Sequence, residues 1–334
     1  MGANTTPDLA CFGGTPAAEN PLHVNRPNTG DRAAFDALVD GIFTSRWFTN
    51  AGPLVDRFEA ELAEFLGVDH VVVMSSGTTA LDVLIRAMDL SGEVVLPSYT
   101  FISSPHILMR AGITPVFCDI EADHWNIDPD ACARAITPQT SAILATHIWG
   151  RAADIEALEK IAEAHDVALI FDAAHGFGCT HQGQKIACFG QAEVLSFQAN
   201  KAFHCGEGGA VTTNDADLAA RVRRERSFGF IAFDEVAGLG TNAKLPELSA
   251  ALGLTNLAAF PTHVARARDV WQRYADGLVD MPGFALQPYD GPETYNQQYV
   301  AGLIAPDCAL TRDEIIHILH AENVLARRYF YPGC

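Results

Sequence analysis

From residue 70 to 172 the chain alternates near-continuous apolar runs with amphipathic stretches, and this alternation constrains the fold more than any other feature. Runs such as VVVM, AILA and VALIF have the pattern of strands buried on both faces. Strands are expected at residues 70–74, 93–96, 115–119, 141–147 and 168–172. Helices are expected at 80–88, 103–111, 129–135 and 155–165. Strands alternating with helices imply an α/β fold with a largely parallel sheet covered on both sides. Residues 1–20 read as a polar arm, followed by two amphipathic helices around 35–43 and 55–66. Beyond the alternating region lie a charged helix at 215–226, a helix at 246–267 and a strand at 299–304. Thr311 and Glu314 have the spacing of a capping box.

Three features fall at strand ends of this sheet, where open α/β sheets gather ligands. The first is Ser76-Gly77-Thr78-Thr79, a turn that follows a strand and opens a helix. Its free N–H groups can hold an anion, although an ordinary helix cap also explains it. The second is Asp172, at the end of the run that closes in Phe171. A carboxylate there can pair with a pyridinium nitrogen or simply cap a turn. The third is the stretch AEVLSFQANKAFHCGEGGAVTT, in which an apolar strand at 194–197 is followed by Lys201, a glycine-rich turn and a second apolar run. A lysine confined between two strands loses solvation, its pKa falls, and it becomes a usable amine nucleophile. Ser196 can donate to a phosphate. Anion turn, aspartate, then serine with lysine is the layout of a pyridoxal-phosphate (PLP) site.

Composition narrows the alternatives. The 334 residues are 49% hydrophobic, enough for one large core and a smaller domain. A formal net charge of -19 makes nucleic acid and anionic membrane surfaces poor partners. No stretch reads as a signal peptide or approaches the length of a membrane span. The eight cysteines include no C-x-x-C pair, so reduced thiols in a cytoplasmic protein are expected. The twelve histidines show no metal-ligand spacing, so no metal is expected.

These residues sit within longer recognisable stretches. The chain resembles the DegT/StrS-type sugar aminotransferases, PLP enzymes of fold type I, from about Leu22 to the end. The likeness rests on TNAGPLVDRFE, SSGTTAL, GEVVLPSYTF, GITPVFCDI, ITPQTSAILATHIWG, FDAAHGFG, SFQANKAFHCGEGGAVTT and GTNAKLPELSAALG. It implies a large domain over residues 21–260, with a mostly parallel seven-stranded sheet between helices, and a smaller C-terminal α/β domain over 261–334. It also implies a homodimer with two shared active sites. Carried over by motif, Lys201 resembles the Schiff-base lysine and Asp172 the partner of the pyridine nitrogen. His175 falls near the ring's phenolic oxygen, and Phe101 stacks on the ring or packs in the core. Gly77, Thr78 and Ser196 match phosphate contacts. Asn242 matches an asparagine that reaches the phosphate from the other subunit, and Lys244 stands where many relatives carry arginine.

The chain departs from that pattern at Gln198, where relatives usually carry histidine, and at Asn200, which replaces a common threonine. Relatives also continue for some tens of residues past Cys334, which implies an incomplete small domain. The resemblance implies amine transfer from glutamate to a nucleotide-linked keto-sugar. HVNRPNTGD, WFTNAGPLV, HIWGRAADIEAL and ARRYFYPG look most like the branch that aminates dTDP-4-keto-6-deoxyglucose to dTDP-4-amino-4,6-dideoxyglucose. Arg26, Arg327 and Arg328 are candidates to grip the substrate diphosphate, or are ordinary surface charges. The rivals are a 3-keto-sugar aminotransferase, a sugar dehydratase and a non-catalytic binding or regulatory protein. Lys201 argues against the dehydratase, whose known examples carry histidine there. A nicotinamide dehydrogenase is disfavoured because no G-x-G-x-x-G follows the first strand.

Overall fold

The computed structural model describes residues 8–289 and 291–334. Its centre is a seven-stranded sheet. The strands are β1 (His70–Met74), β2 (Glu93–Pro97), β3 (Thr114–Cys118), β4 (Thr140–Thr146), β5 (Ala168–Asp172), β6 (Ala192–Ser196) and β7 (Gly209–Thr213). The spatial order is β1-β7-β6-β5-β4-β2-β3, and only β7 runs against its neighbours. Gly209 at the start of β7 pairs with both Met74 and Ser196, so the carboxyl ends of β1 and β6 lie level with it.

Successive strand residues enter opposite cores, which is why the runs are apolar throughout. Val72, Met74, Val94, Leu144, Ile170 and Val194 face one side. They pack there on the helices Gly77–Ala87, Ser103–Arg110 and Ala216–Arg226. On the other side Val73 and Leu195 meet the helix Pro53–Leu66. Ile143 and Phe171 meet Pro129–Ala135 and Ile155–His165. The expected strands and helices up to residue 226 are present, some to the residue and the others with ends shifted by at most three residues. The helix expected at 80–88 starts earlier, at Gly77, because the Ser76 hydroxyl accepts the Thr79 N–H and caps it. The strand expected at 194–197 stops at Ser196, where Phe197 turns into a buried cluster with Phe58, Phe177 and Phe203.

The C-terminal unit departs further from expectation. One helix runs from Glu247 to Leu278 with Pro261 inside it, so the boundary expected at 260 falls within a continuous element. Phe284–Leu286 pairs with Gly302–Ile304, and the expected capping box opens the helix Arg312–Ala321. The strand expected from residue 299 therefore begins only at Gly302. Residues 1–7 of the expected arm lie outside the described residues. The rest of the arm and the two residues Leu22 and His23 just beyond it are tied to the C-terminal unit. Leu22–His23 pairs in parallel with Val324–Leu325, and the Glu322 carboxylate accepts the N–H groups of Ala10 and Ala17. Among the described residues no helix is long and apolar enough to cross a membrane, and no cluster of three or more metal-ligating side chains occurs.

Candidate active site

The site gathers at the carboxyl end of the sheet. After β1, Ser76 caps the Gly77–Ala87 helix, leaving Gly77 and Thr78 in its first turn, where N–H groups have no intrahelical acceptor. Ser196 ends β6 directly against this turn: a Cβ on Gly77 would lie 3.0 Å from that of Ser196. A Cβ on Gly209 would lie 2.4 Å from the Gly77 nitrogen. Only glycine at both positions lets the helix end, β6 and β7 approach this closely. The result is a helix N-terminus flanked by hydroxyls, a cradle suited to a phosphate. Beside it the Ser75 N–H donates to the Ala243 carbonyl, which brings in Asn242 and Lys244. Lys244 Nζ donates to Asn242 Oδ1 at 2.6 Å and lies 4.5 Å over the Phe228 ring.

Asp172 ends β5, buried, with its carboxylate oriented by two donors. Oδ2 accepts from the Ser104 hydroxyl at 2.9 Å and Oδ1 from the Ala174 N–H at 3.1 Å. His175 follows on the same loop. Its Nδ1 accepts the Trp149 N–H at 3.2 Å, and Tyr299 Oη lies 3.4 Å from Nε2. The ring stacks on the Trp149 indole, 5.3 Å between centroids and 12° between planes. Burial pushes its pKa well below the ordinary histidine value, and the Lys201 charge pushes it the same way. The imidazole is therefore neutral near pH 7.

Lys201 lies half-buried on the turn after β6. Burial pulls its pKa down to about 8, against the opposing pull of the Asp172 carboxylate. Gln198, the departure from the family pattern, is used locally: its Oε1 accepts the Asn200 N–H at 2.9 Å. Phe101, after β2, is 53% exposed, with its ring centroid 6.3 Å from that of Phe330. Such exposure excludes core packing as its use. Arg328 is engaged elsewhere, paired with Asp313 at 3.2 Å and stacked 3.7 Å over Tyr331, while Arg26 and Arg327 are exposed.

The structure thus brings Gly77, Thr78, Ser196, Asp172, His175 and Lys201 to one sheet edge. It adds Ser104, Trp149, Gln298 and Tyr299, which the sequence reading passed over. Apart from HIWG as a motif around Trp149, no local pattern marks them. Cradle, carboxylate, neutral imidazole and deprotonatable lysine together form a donor set that fits PLP.

Comparison with known proteins agrees with this geometry. Residues 30–334 match the DegT/DnrJ/EryC1/StrS aminotransferase family. The chain is 35% identical over 314 residues to the dTDP-4-amino-4,6-dideoxy-D-glucose transaminase of Shigella dysenteriae, covering 94% of this chain and 86% of that protein. It is 35% identical over 266 residues to the dTDP-3-amino-3,4,6-trideoxy-alpha-D-glucose transaminase of Streptomyces venezuelae, covering 79% and 70%. The crystal structure of DesI with its TDP-sugar product superimposes with a TM-score of 0.94 at 45% identity, covering 98% of this chain and 84% of that one.

Proposed function

The chain belongs to the DegT/DnrJ/EryC1/StrS aminotransferase family and is a sugar aminotransferase, and we propose that it transfers the amino group of glutamate to the 4-keto carbon of dTDP-4-keto-6-deoxyglucose with PLP as cofactor. The observation that carries the chemistry is the placement of Lys201, with its pKa lowered to about 8, at the same sheet edge as the buried Asp172 carboxylate. The choice of sugar is supported by the Shigella relative, and a thymidine-diphosphate-linked substrate also by DesI, whose structure was determined in the presence of its TDP-sugar product.

When bound, PLP supplies an electron-poor ring that accepts the electron pair left as a substrate C–H bond breaks. Asp172, held by Ser104 and Ala174, would keep the proton on the pyridine nitrogen. His175 would donate from Nε2 to the phenolic oxygen, and Phe101 would offer its exposed ring as a stacking face. Gly77, Thr78 and Ser196 would hold the phosphate. Lys201 would attach the cofactor and, once free, carry protons at Nζ. A pKa of about 8 leaves a usable fraction of that amine unprotonated near neutrality.

A second copy of the chain completes this reading. The hairpin Phe230–Ala232 and Glu235–Val236 exposes Phe230, Ile231 and, at 94%, Phe233, with Leu239 at 86% beside it. So much exposed apolar surface suits a homodimer contact, and it adjoins Asn242, which would reach the partner's phosphate cradle. Eight free thiols suit a reducing compartment such as the cytoplasm.

The test is to follow amine transfer from glutamate to the dTDP-linked 4-keto sugar, its 3-keto isomer and a GDP-linked 4-keto sugar, recording the cofactor's absorbance. Turnover should favour the first. Preference for either competitor would reject the substrate, and a protein that takes up no PLP would reject the chemistry.

A further inference from the structure

A short segment of the C-terminal unit, residues 296–299, touches both loops that carry the candidate chemistry. Asn296 is buried, and its Nδ2 donates to the carbonyls of His175 at 2.8 Å and Phe177 at 3.1 Å, on the loop after Asp172. Its Oδ1 accepts the Gln298 N–H at 3.0 Å. Gln298 in turn accepts the N–H of Ala202 through Oε1, at 2.7 Å. Ala202 is the residue after Lys201. On its other side the Lys201 N–H donates to the Gln198 carbonyl at 2.8 Å.

Both N–H groups that flank the Lys201 α-carbon are therefore anchored. Those bonds restrict the backbone rotations that aim the lysine side chain. The Gln198 bond lies within the lysine loop itself. The Gln298 bond comes from outside, from a segment that Asn296 fixes to the His175 loop. A single side-chain acceptor thus ties the orientation of Lys201 to the position of its prospective partners.

We propose that Gln298 is a positioning residue for Lys201, holding the Ala202 N–H so that the lysine amine leaves its loop in a fixed direction relative to Asp172 and His175. The inference rests on the reading that Lys201 attaches the cofactor. In that step the amine nitrogen adds to the PLP aldehyde carbon, a C=N bond forms and water leaves. Its rate depends on how often the amine is aimed at the aldehyde.

The experiment uses cofactor-free protein mixed with PLP in a stopped-flow absorbance instrument. Wild type is compared with Gln298→Met, which keeps the length but lacks the acceptor, and Gln298→Glu, which keeps an Oε acceptor. Melting temperatures are measured alongside. The Met variant should condense about tenfold more slowly with its melting temperature held within about 2 °C, and the Glu variant should recover to within about threefold of wild type. A Met variant as fast as wild type overturns the proposal. Slowing that the Glu variant does not repair, accompanied by a matching fall in melting temperature, makes Gln298 a structural residue only and also overturns it. A wild-type chain that forms no adduct at Lys201 rejects the functional reading itself, and the inference falls with it.

Discussion

The backbone N–H of Trp149 donates to Nδ1 of His175 across 3.2 Å, and this bond decides which imidazole nitrogen carries the proton. An accepting Nδ1 has no hydrogen, so the neutral ring holds it on Nε2, the nitrogen beside Tyr299 Oη. Trp149 presents its N–H from a left-handed backbone, φ 56°, a conformation bulky residues adopt only when their surroundings enforce it. Here its indole stacks against both His175 and Phe330, and the Tyr289 hydroxyl donates to its carbonyl at 3.1 Å.

That arrangement predicts a histidine that stays neutral under mild acid. In histidine-labelled, cofactor-free protein, the 15N shifts of His175 should report an Nε2–H ring from pH 8 down past 6.5. The stability consequence follows from the direction of the shift. As pH falls through 6.5 the unfolded chain takes up the proton first, so stability is lost on that side until the folded ring also titrates. His175→Gln should remove this part of the acid sensitivity. A His175 that titrates at its ordinary pKa would contradict the assignment.

Lys201 yields a dependence of the same sign in a more alkaline window. Its folded pKa is about 8 against an ordinary value of 10.5, so below pH 8 the fold carries a poorly solvated ammonium. Between 8 and 10.5 the unfolded chain binds the proton that the folded one has released, and stability rises with pH across that window. Lys201→Met should therefore raise the melting temperature of cofactor-free protein below pH 8, with the gain shrinking toward pH 10.5. Equal melting curves at pH 7 would show that the amine is not desolvated.

Ser104 is predicted to matter through Asp172. Ser104→Ala deletes one of the two donors that orient the carboxylate. A bond to a charged group contributes about 1.5–3 kcal/mol, so cofactor affinity should fall by at least about tenfold if the carboxylate then turns from the pyridine nitrogen. Titration of cofactor-free protein with PLP measures this directly. An unchanged dissociation constant would mean that Ala174 alone suffices.

These residues also mark where sequence reading succeeds and stops. The boundaries of β5 were legible to the residue, because VALIF is apolar on both faces and ends at an ionisable side chain. Gly77, Asp172, Ser196 and Lys201 were legible because each stands at a strand end, where local pattern and chemistry coincide. Ser104, Trp149, Gln298 and Tyr299 act across 68, 26, 96 and 124 residues of sequence. No local periodicity records such a contact. The strand expected from residue 299 shows the same limit: Tyr299 has the composition of a strand residue, but its ring is held against Trp149 and His175. The helix expected at 246–267 starts within one residue of that expectation but runs on to Leu278, carrying Pro261 inside it.

The last prediction concerns the shared site. Within its own chain Asn242 is exposed, its Oδ1 already engaged by Lys244, and it lies at the foot of a hairpin region that presents Phe228, Phe230 and Phe233 to solvent. A second copy covering that surface would bring Asn242 to the partner's Gly77–Thr78 turn. The arrangement can be tested by complementation. Lys201→Ala and Asn242→Ala homodimers should each be nearly inactive. A mixed dimer places both defects in one site and leaves the other intact. An equal mixture forms hybrids in about half of its dimers, so activity should recover to about a quarter of wild type. Phe233→Asp, at the exposed tip, should weaken the dimer in sedimentation and remove that recovery. Hybrids verified by mass that stay inactive would show that each chain supplies its own Asn242.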